Sequence, residues 1–138
     1  MRPNAITKVT IYLEDANQGG AWTHFGCGKK HDRRTLERGD PCWITDAYTY
    51  WGYGGTKLKY NSVDNRCEQT VYGSPAFEGD NITMTIDMRP YQGTVSFAKN
   101  DLPMGIAFGG LHELGDVYIY ITLHTPGNRI KITDYQVI

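Results

Sequence analysis

The chain has 138 residues, a length that fits one domain able to bury roughly two-thirds of its unfolded surface without metals or staples. Hydrophobic residues make up 40% and aromatics 12%, which are values of a packed domain and exclude a disordered tail. A formal net charge of −1 gives no domain-wide field to gather phosphates, so nucleic acid is not an expected partner; no apolar run approaches the ~18 residues of a membrane span.

In chain order, strand signals recur and helical spacing does not. Val9, Ile11 and Leu13 alternate with Thr10 and Tyr12, and Gln18-Gly19-Gly20 breaks the run. Trp22 to Gly28 is expected to be the returning strand. Lys29 to Asp46 is charged and poor in apolar residues until Trp43, which predicts a long loop, with room for one short helical turn. Ile82, Met84 and Ile86 then alternate with Thr83, Thr85 and Asp87, a period of two. Val95 and Phe97 repeat it after a turn at Gly93. Leu102 to Phe108 follows the Lys99-Asn100-Asp101 turn. Val117, Ile119, Ile121 and Leu123 form one face of the next strand, with Tyr118, Tyr120 and Thr122 on the other. Pro126-Gly127-Asn128 turns the chain into Arg129 to Thr133, where Ile130 and Ile132 are expected to point inward. Sixteen glycines between short alternating runs describe an all-β antiparallel sandwich or jelly roll in a single domain, residues 1–138.

Chemistry-bearing patterns are scarce. His24, His31, His112 and His124 show no HxH or HExxH spacing, so no metal site and no cofactor are expected. His112-Glu113 begins like a metalloprotease motif, but Gly115 and Asp116 follow. The chain has no GxSxG elbow, and Gly26-Cys27-Gly28-Lys29-Lys30 fails the phosphate-loop spacing. Without a nucleophile–base or acid–base set, no catalytic residue is assigned and the chain is not expected to be an enzyme. Cys27, Cys42 and Cys67 are odd in number and widely spaced without a CxxC pair. The N-terminus lacks the apolar stretch of a signal peptide. Together these predict reduced thiols and an intracellular, cytoplasmic protein.

From Tyr48 onward the ordered motifs resemble the SPRY domain, the core of the B30.2 module. Trp51-Gly52-Tyr53 is similar to the family's aromatic-Gly segment. Val71-Tyr72-Gly73-Ser74-Pro75-Ala76-Phe77 leads into Glu78-Gly79-Asp80-Asn81-Ile82, similar to its "YG…F…GDxI". Gly93 to Phe97 with Lys99-Asn100 comes next, and Met104-Gly105-Ile106-Ala107-Phe108 resembles "LGxAF". Upstream, Lys8 to Glu14 and Phe25 to Gly28 resemble two earlier strands of the family. The resemblance implies a concanavalin-like β-sandwich of SPRY type. It also implies a non-catalytic protein-interaction module or subunit of a larger assembly, binding a protein or peptide through loops at one end or face of the sandwich. The family usually has further strands before the first, so either this is a minimal form of the domain or it has an open sheet edge, which a partner or a second copy is expected to cover.

Three segments are candidate contacts by position. Tyr48, Tyr50, Trp51 and Tyr53 supply aromatics beside Gly54-Gly55; Trp51 and its neighbours also suit the core, where tryptophan is usually covered. His124, Thr125 and Pro126 occupy the loop before the last strand. Lys29, Lys30, Arg33 and Arg34 form a basic cluster suited to an acidic partner, or to a solvated loop. The alternative function is a carbohydrate-binding, lectin-like domain, with Asp64-Asn65 as its one suggestive pair.

Overall fold

A computed structural model describes residues 4–15, 23–29, 47–52, 54–61, 66–123 and 127–138. Among the described residues ten strands form two antiparallel five-stranded sheets. β1 (Ile6–Asp15), β6 (Asn81–Asp87), β7 (Thr94–Lys99), β8 (Leu102–Phe108) and β10 (Arg129–Val137) build the first, in the order β10-β1-β6-β7-β8. β2 (Thr23–Gly28), β3 (Ala47–Trp51), β4 (Thr56–Asn61), β5 (Arg66–Val71) and β9 (Tyr118–Leu123) build the second, in the order β5-β4-β3-β2-β9. A short 3₁₀ turn, Leu111–Leu114, links β8 to β9.

The period of two does what it promised in the first sheet. Val9, Ile11 and Leu13 of β1, Ile82, Met84 and Ile86 of β6, and Val95 and Phe97 of β7 are buried, with Thr and Ser residues on the outer face. Each large apolar side chain so covered contributes about 1.5–3 kcal/mol. The Asn100-Asp101 turn joins β7 to β8 with both residues left-handed, at φ 50° and 66°. That is the geometry of a two-residue hairpin whose twist matches its strands.

β2 behaves differently: Thr23, His24, Phe25 and Cys27 are all buried, so both of its faces are covered. It runs close to β3. A Cβ at Gly26 would lie 2.0 Å from the Tyr48 carbonyl oxygen and 2.6 Å from Thr49 Cα. Phe97 joins the layers, with its ring centroid 5.9 Å from Phe25 edge-on and 5.4 Å from Tyr50. Tyr48 of β3 meets Phe108 of β8 at 5.1 Å, and Lys57 Nζ of β4 donates to the Ala107 carbonyl at 2.8 Å. β8 therefore lies over β3 and β4, and β7 over β2 and β3. The two flanks of the sandwich are then β5 with β8, and β9 with β10.

Three expectations are corrected. β2 is not the returning strand of a hairpin with β1, because β1 pairs with β6 and β10 while β2 pairs with β3 and β9 in the other sheet. Tyr48 to Trp51 is strand and not loop, centred between β2 and β4. β10 runs on to Val137, past the Thr133 end that its alternation suggested; a bulge between Ile132 and Asp134 interrupts the period there. Ile132 stands opposite the buried Ile11, yet it is 57% exposed because β10 is the edge strand.

Candidate binding surface

One end of the sandwich gathers the β3–β4 turn, the segment from Tyr72 to Asp80 and the β7–β8 turn. The middle segment has no strand ladder, so its backbone groups need other partners. Gly73 N–H donates to Gly55 O and Ala76 N–H to Gly52 O, each at 2.8 Å. The Tyr50 hydroxyl donates to Ser74 O at 2.6 Å, and Lys99 Nζ to Pro75 O at 3.1 Å. Asp80 closes the segment: its carboxylate accepts from Phe77 N–H at 2.8 Å and from Asn100 Nδ2 at 2.9 Å. Asn100 Oδ1 in turn accepts from Asn81 N–H at 2.9 Å. Each such bond contributes about 0.5–1.5 kcal/mol net, so together they hold the loops as a stiff platform. Phe77, Leu102 and Val71 project from it, the phenylalanine 49% exposed.

Beneath this platform, Tyr72 donates its hydroxyl to Gly105 O while accepting from Phe97 N–H at 3.2 Å. Burial raises the Tyr72 hydroxyl above its ordinary pKa, against the lowering effect of the Phe97 bond, and burial raises Tyr50 further, helped by the Asp80 charge. Both phenols therefore stay protonated and serve as donors.

The structure separates the residues singled out by sequence. Tyr50 is 1% exposed and belongs to the core. Tyr48 is half-buried against Phe108, with Lys59 Nζ 5.8 Å from its ring centroid. Trp51 is half-buried and stacks on His24 at 5.7 Å with the rings 5° from parallel. Trp51 pairs with His24, and Leu123 with Thr23, so β9 ends at the platform end. Tyr53, His124, Thr125 and Pro126 lie outside the described residues, as do Lys30, Arg33 and Arg34. So do Asp64 and Asn65. Lys29 is exposed at the opposite end of β2, and its carbonyl accepts from the Tyr120 hydroxyl.

At that opposite end sits a residue the sequence reading passed over. Tyr91 is 100% exposed and left-handed at φ 69°. Its turn is pinned by Gly93 N–H to Asp87 O at 2.8 Å and by the Arg89 guanidinium on the Asp87 carboxylate at 2.7 Å. A fully exposed tyrosine in a conformation uncommon for its type was the available signal, but φ cannot be read from sequence.

Concavities and thiols complete the surface. The outer face of the first sheet carries a trough of about 380 Å³ floored by Thr83, Thr85 and Ser96, with Lys8 on one side and Ile106 on the other. Among the described residues no group of three or more His, Cys, Asp or Glu could hold a metal ion. Cys27 is a free, buried cysteine whose thiol burial pushes up to about 12, far from nucleophilic. Cys67 is disulfide-bonded, to a partner outside the described residues, which corrects the expectation that all three cysteines are reduced. A thiol reagent is expected to find nothing in the native chain and one thiol, Cys27, after unfolding without reductant.

Residues 8–137 match the SPRY domain family. The chain belongs to that family. Solved structures agree on the fold: the SPRY domain of human HERC1 superposes with a TM-score of 0.73 at 23% identity, covering 96% of this chain and 77% of that one. A second human SPRY domain gives 0.68 at 14% identity, covering 91% and 74%. No curated protein matches by sequence. SPRY domains are in general non-catalytic protein-interaction modules. No helix among the described residues of this SPRY domain is long and apolar enough to cross a membrane.

Proposed function

We propose that residues 1–138 act as one non-catalytic SPRY interaction domain, binding a protein or peptide, alone or as a subunit of a larger assembly, through the platform end of the sandwich. The observation that carries this reading is the exposure of Phe77 on a segment laced down by backbone and Asp80 hydrogen bonds, with Leu102 and Val71 exposed at the adjoining ends of β8 and β5. Rigid loops that hold apolar side chains in water suit recognition, since little ordering cost remains to be met on binding. Trp51, at the end of β3, extends the surface; His124, Thr125 and Pro126 are proposed as contacts from their sequence position alone. Lys29, exposed at the far end, and Lys30, Arg33 and Arg34, which follow it in sequence, are a separate proposal, a contact for acidic groups.

The tagged domain and a Phe77→Asp, Leu102→Asp variant, each shown to be folded by thermal unfolding, would be used to capture partners from a lysate, with and without chelator. One protein recovered in stoichiometric amount by the wild type and lost by the variant supports the platform. A hot-spot aromatic of about 2 kcal/mol corresponds to a roughly 30-fold loss. Equal recovery by both removes the platform as the site. The hydroxyl-floored trough favours a second reading, carbohydrate binding; glycoproteins released by free sugar, and insensitive to the platform substitutions, would establish that instead.

The buried free thiol of Cys27 fits an intracellular site of action, whereas the Cys67 disulfide fits an oxidising one. A second or third thiol titrated in denaturant without reductant would decide for the reducing compartment.

A further inference from the structure

Among the described residues β10 pairs only with β1, which makes it an edge strand of the first sheet. Its side chains are sorted unusually well for an edge. Ile130, Ile132, Tyr135 and Val137 stand opposite Leu13, Ile11, Val9 and Thr7, all buried, and so share the inner face. Lys131 and Asp134 stand opposite Tyr12 and Thr10 on the outer face. Even-numbered and odd-numbered residues share a face because the bulge at Thr133 switches the alternation half-way along the strand. Despite facing inward, Ile132 and Tyr135 are each 57% exposed.

This pattern is complementary to itself. Let a second β10 run antiparallel to the first, with a two-fold axis between Ile132 and Thr133. Lys131 then meets Asp134 of the second copy, Ile130 meets its Tyr135, and Ile132 meets its Thr133. Ile130 and Tyr135 adjoin twice on the inner face, and opposite charges adjoin twice on the outer. A bulge normally turns an edge strand away from new partners. In this register the two bulges face each other and no residue is left over. Without the bulge, the same pairing would set inner residues against outer ones.

We propose that the domain forms a two-fold dimer by antiparallel β10–β10 pairing, joining the two first sheets into one continuous sheet. The occupant is a second copy because the charge order Lys131, Asp134 matches its own reverse, as an isologous contact requires. The surface is distinct from the platform loops, so either reading can fail alone.

The purified chain would be measured by sedimentation equilibrium and light scattering from about 1 to 100 µM, the range in which modest interfaces associate. A mass rising to twice that of the chain is expected. Lys131→Asp or Asp134→Lys alone sets like charges together at two symmetric positions and is expected to weaken the dimer roughly tenfold. Lys131→Asp combined with Asp134→Lys restores the opposite charges and the association. Thermal unfolding confirms that each variant is folded; the substituted side chains are exposed, which keeps that control within reach. A monomer at every concentration overturns the proposal. A dimer indifferent to the single reversals, or not rescued by the double one, overturns it equally.

Discussion

Phe97→Ala is expected to destabilise the domain by about 3–5 kcal/mol, a large part of the total for a chain of this size. Phe97 is 2% exposed, and its ring is shared by both layers: Phe25 and Tyr50 on the second sheet, with Tyr72 at 6.2 Å across the platform. Truncation removes the transfer free energy of the ring and leaves a cavity. The walls of that cavity are strands in ladders, which cannot collapse far. Tyr72 loses its edge contact with the ring but keeps its hydroxyl bonds to the residue 97 N–H and Gly105 O, which are backbone groups, so the platform above should be affected less than the core. Urea unfolding followed by tryptophan fluorescence measures the effect as a lower midpoint with an unchanged slope. Phe77→Ala is the comparison. That side chain is half exposed, and a loss above about 1 kcal/mol there would mean that Phe77 supports the fold instead of facing a partner.

Gly26→Ala is expected to be as damaging although it adds only one carbon. The added Cβ would meet the Tyr48 carbonyl oxygen at 2.0 Å and the Thr49 backbone at 2.6 Å. These are backbone atoms of a strand held on both sides, since β3 pairs with β2 and β4. A side chain could swing aside; a ladder must part. Overpacking commonly costs 1–3 kcal/mol, and a clash with backbone belongs above that range. The expected result is a chain that expresses poorly or unfolds at temperatures where the wild type is intact. Gly79→Ala provides the contrast: a Cβ there meets nothing within 4 Å, although its φ of 90° carries strain. Comparable melting temperatures for the two variants would show that the β2–β3 approach is looser than described.

The strands legible in the sequence are those with one dry face and one wet face. β1, β6 and β7 alternate because each is covered on the inside only, whereas β9 alternates in sequence yet is half-buried on both faces along its middle. β2 to β5 did not announce themselves as a sheet. β2 is buried on both faces and has no alternation to read. β5, Arg66–Val71, overhangs the flank, and most of its residues are exposed, so no apolar stripe was needed. The same logic misassigned Tyr50. Tyr-Thr-Tyr beside glycines looks like a sticky loop, but the tyrosine hydroxyl reaches Ser74 O, and that single bond lets the ring sit in the core. The family resemblance found the Tyr72–Asp80 segment correctly, because turn chemistry at Gly79 and Asp80 is local. Which of its side chains stays in water depends on hydrogen bonds to β3, β4 and β7, and those are long-range.

The position of β1 has a consequence for how the chain must be made. It is the first of the described strands in chain order, yet its ladder partners are β6 and β10, so Thr7 waits for Ile86 on one side and for Val137 on the other. At roughly 5–20 residues per second, on the order of ten seconds separates the emergence of the first strand from that of its final neighbour. Val9, Ile11 and Leu13 have no native sheet to enter until Ile82, Met84 and Ile86 leave the ribosome. Strand-by-strand folding in chain order is closed to this topology, and the nascent chain carries an apolar strand in need of shelter until β6 and then β10 arrive.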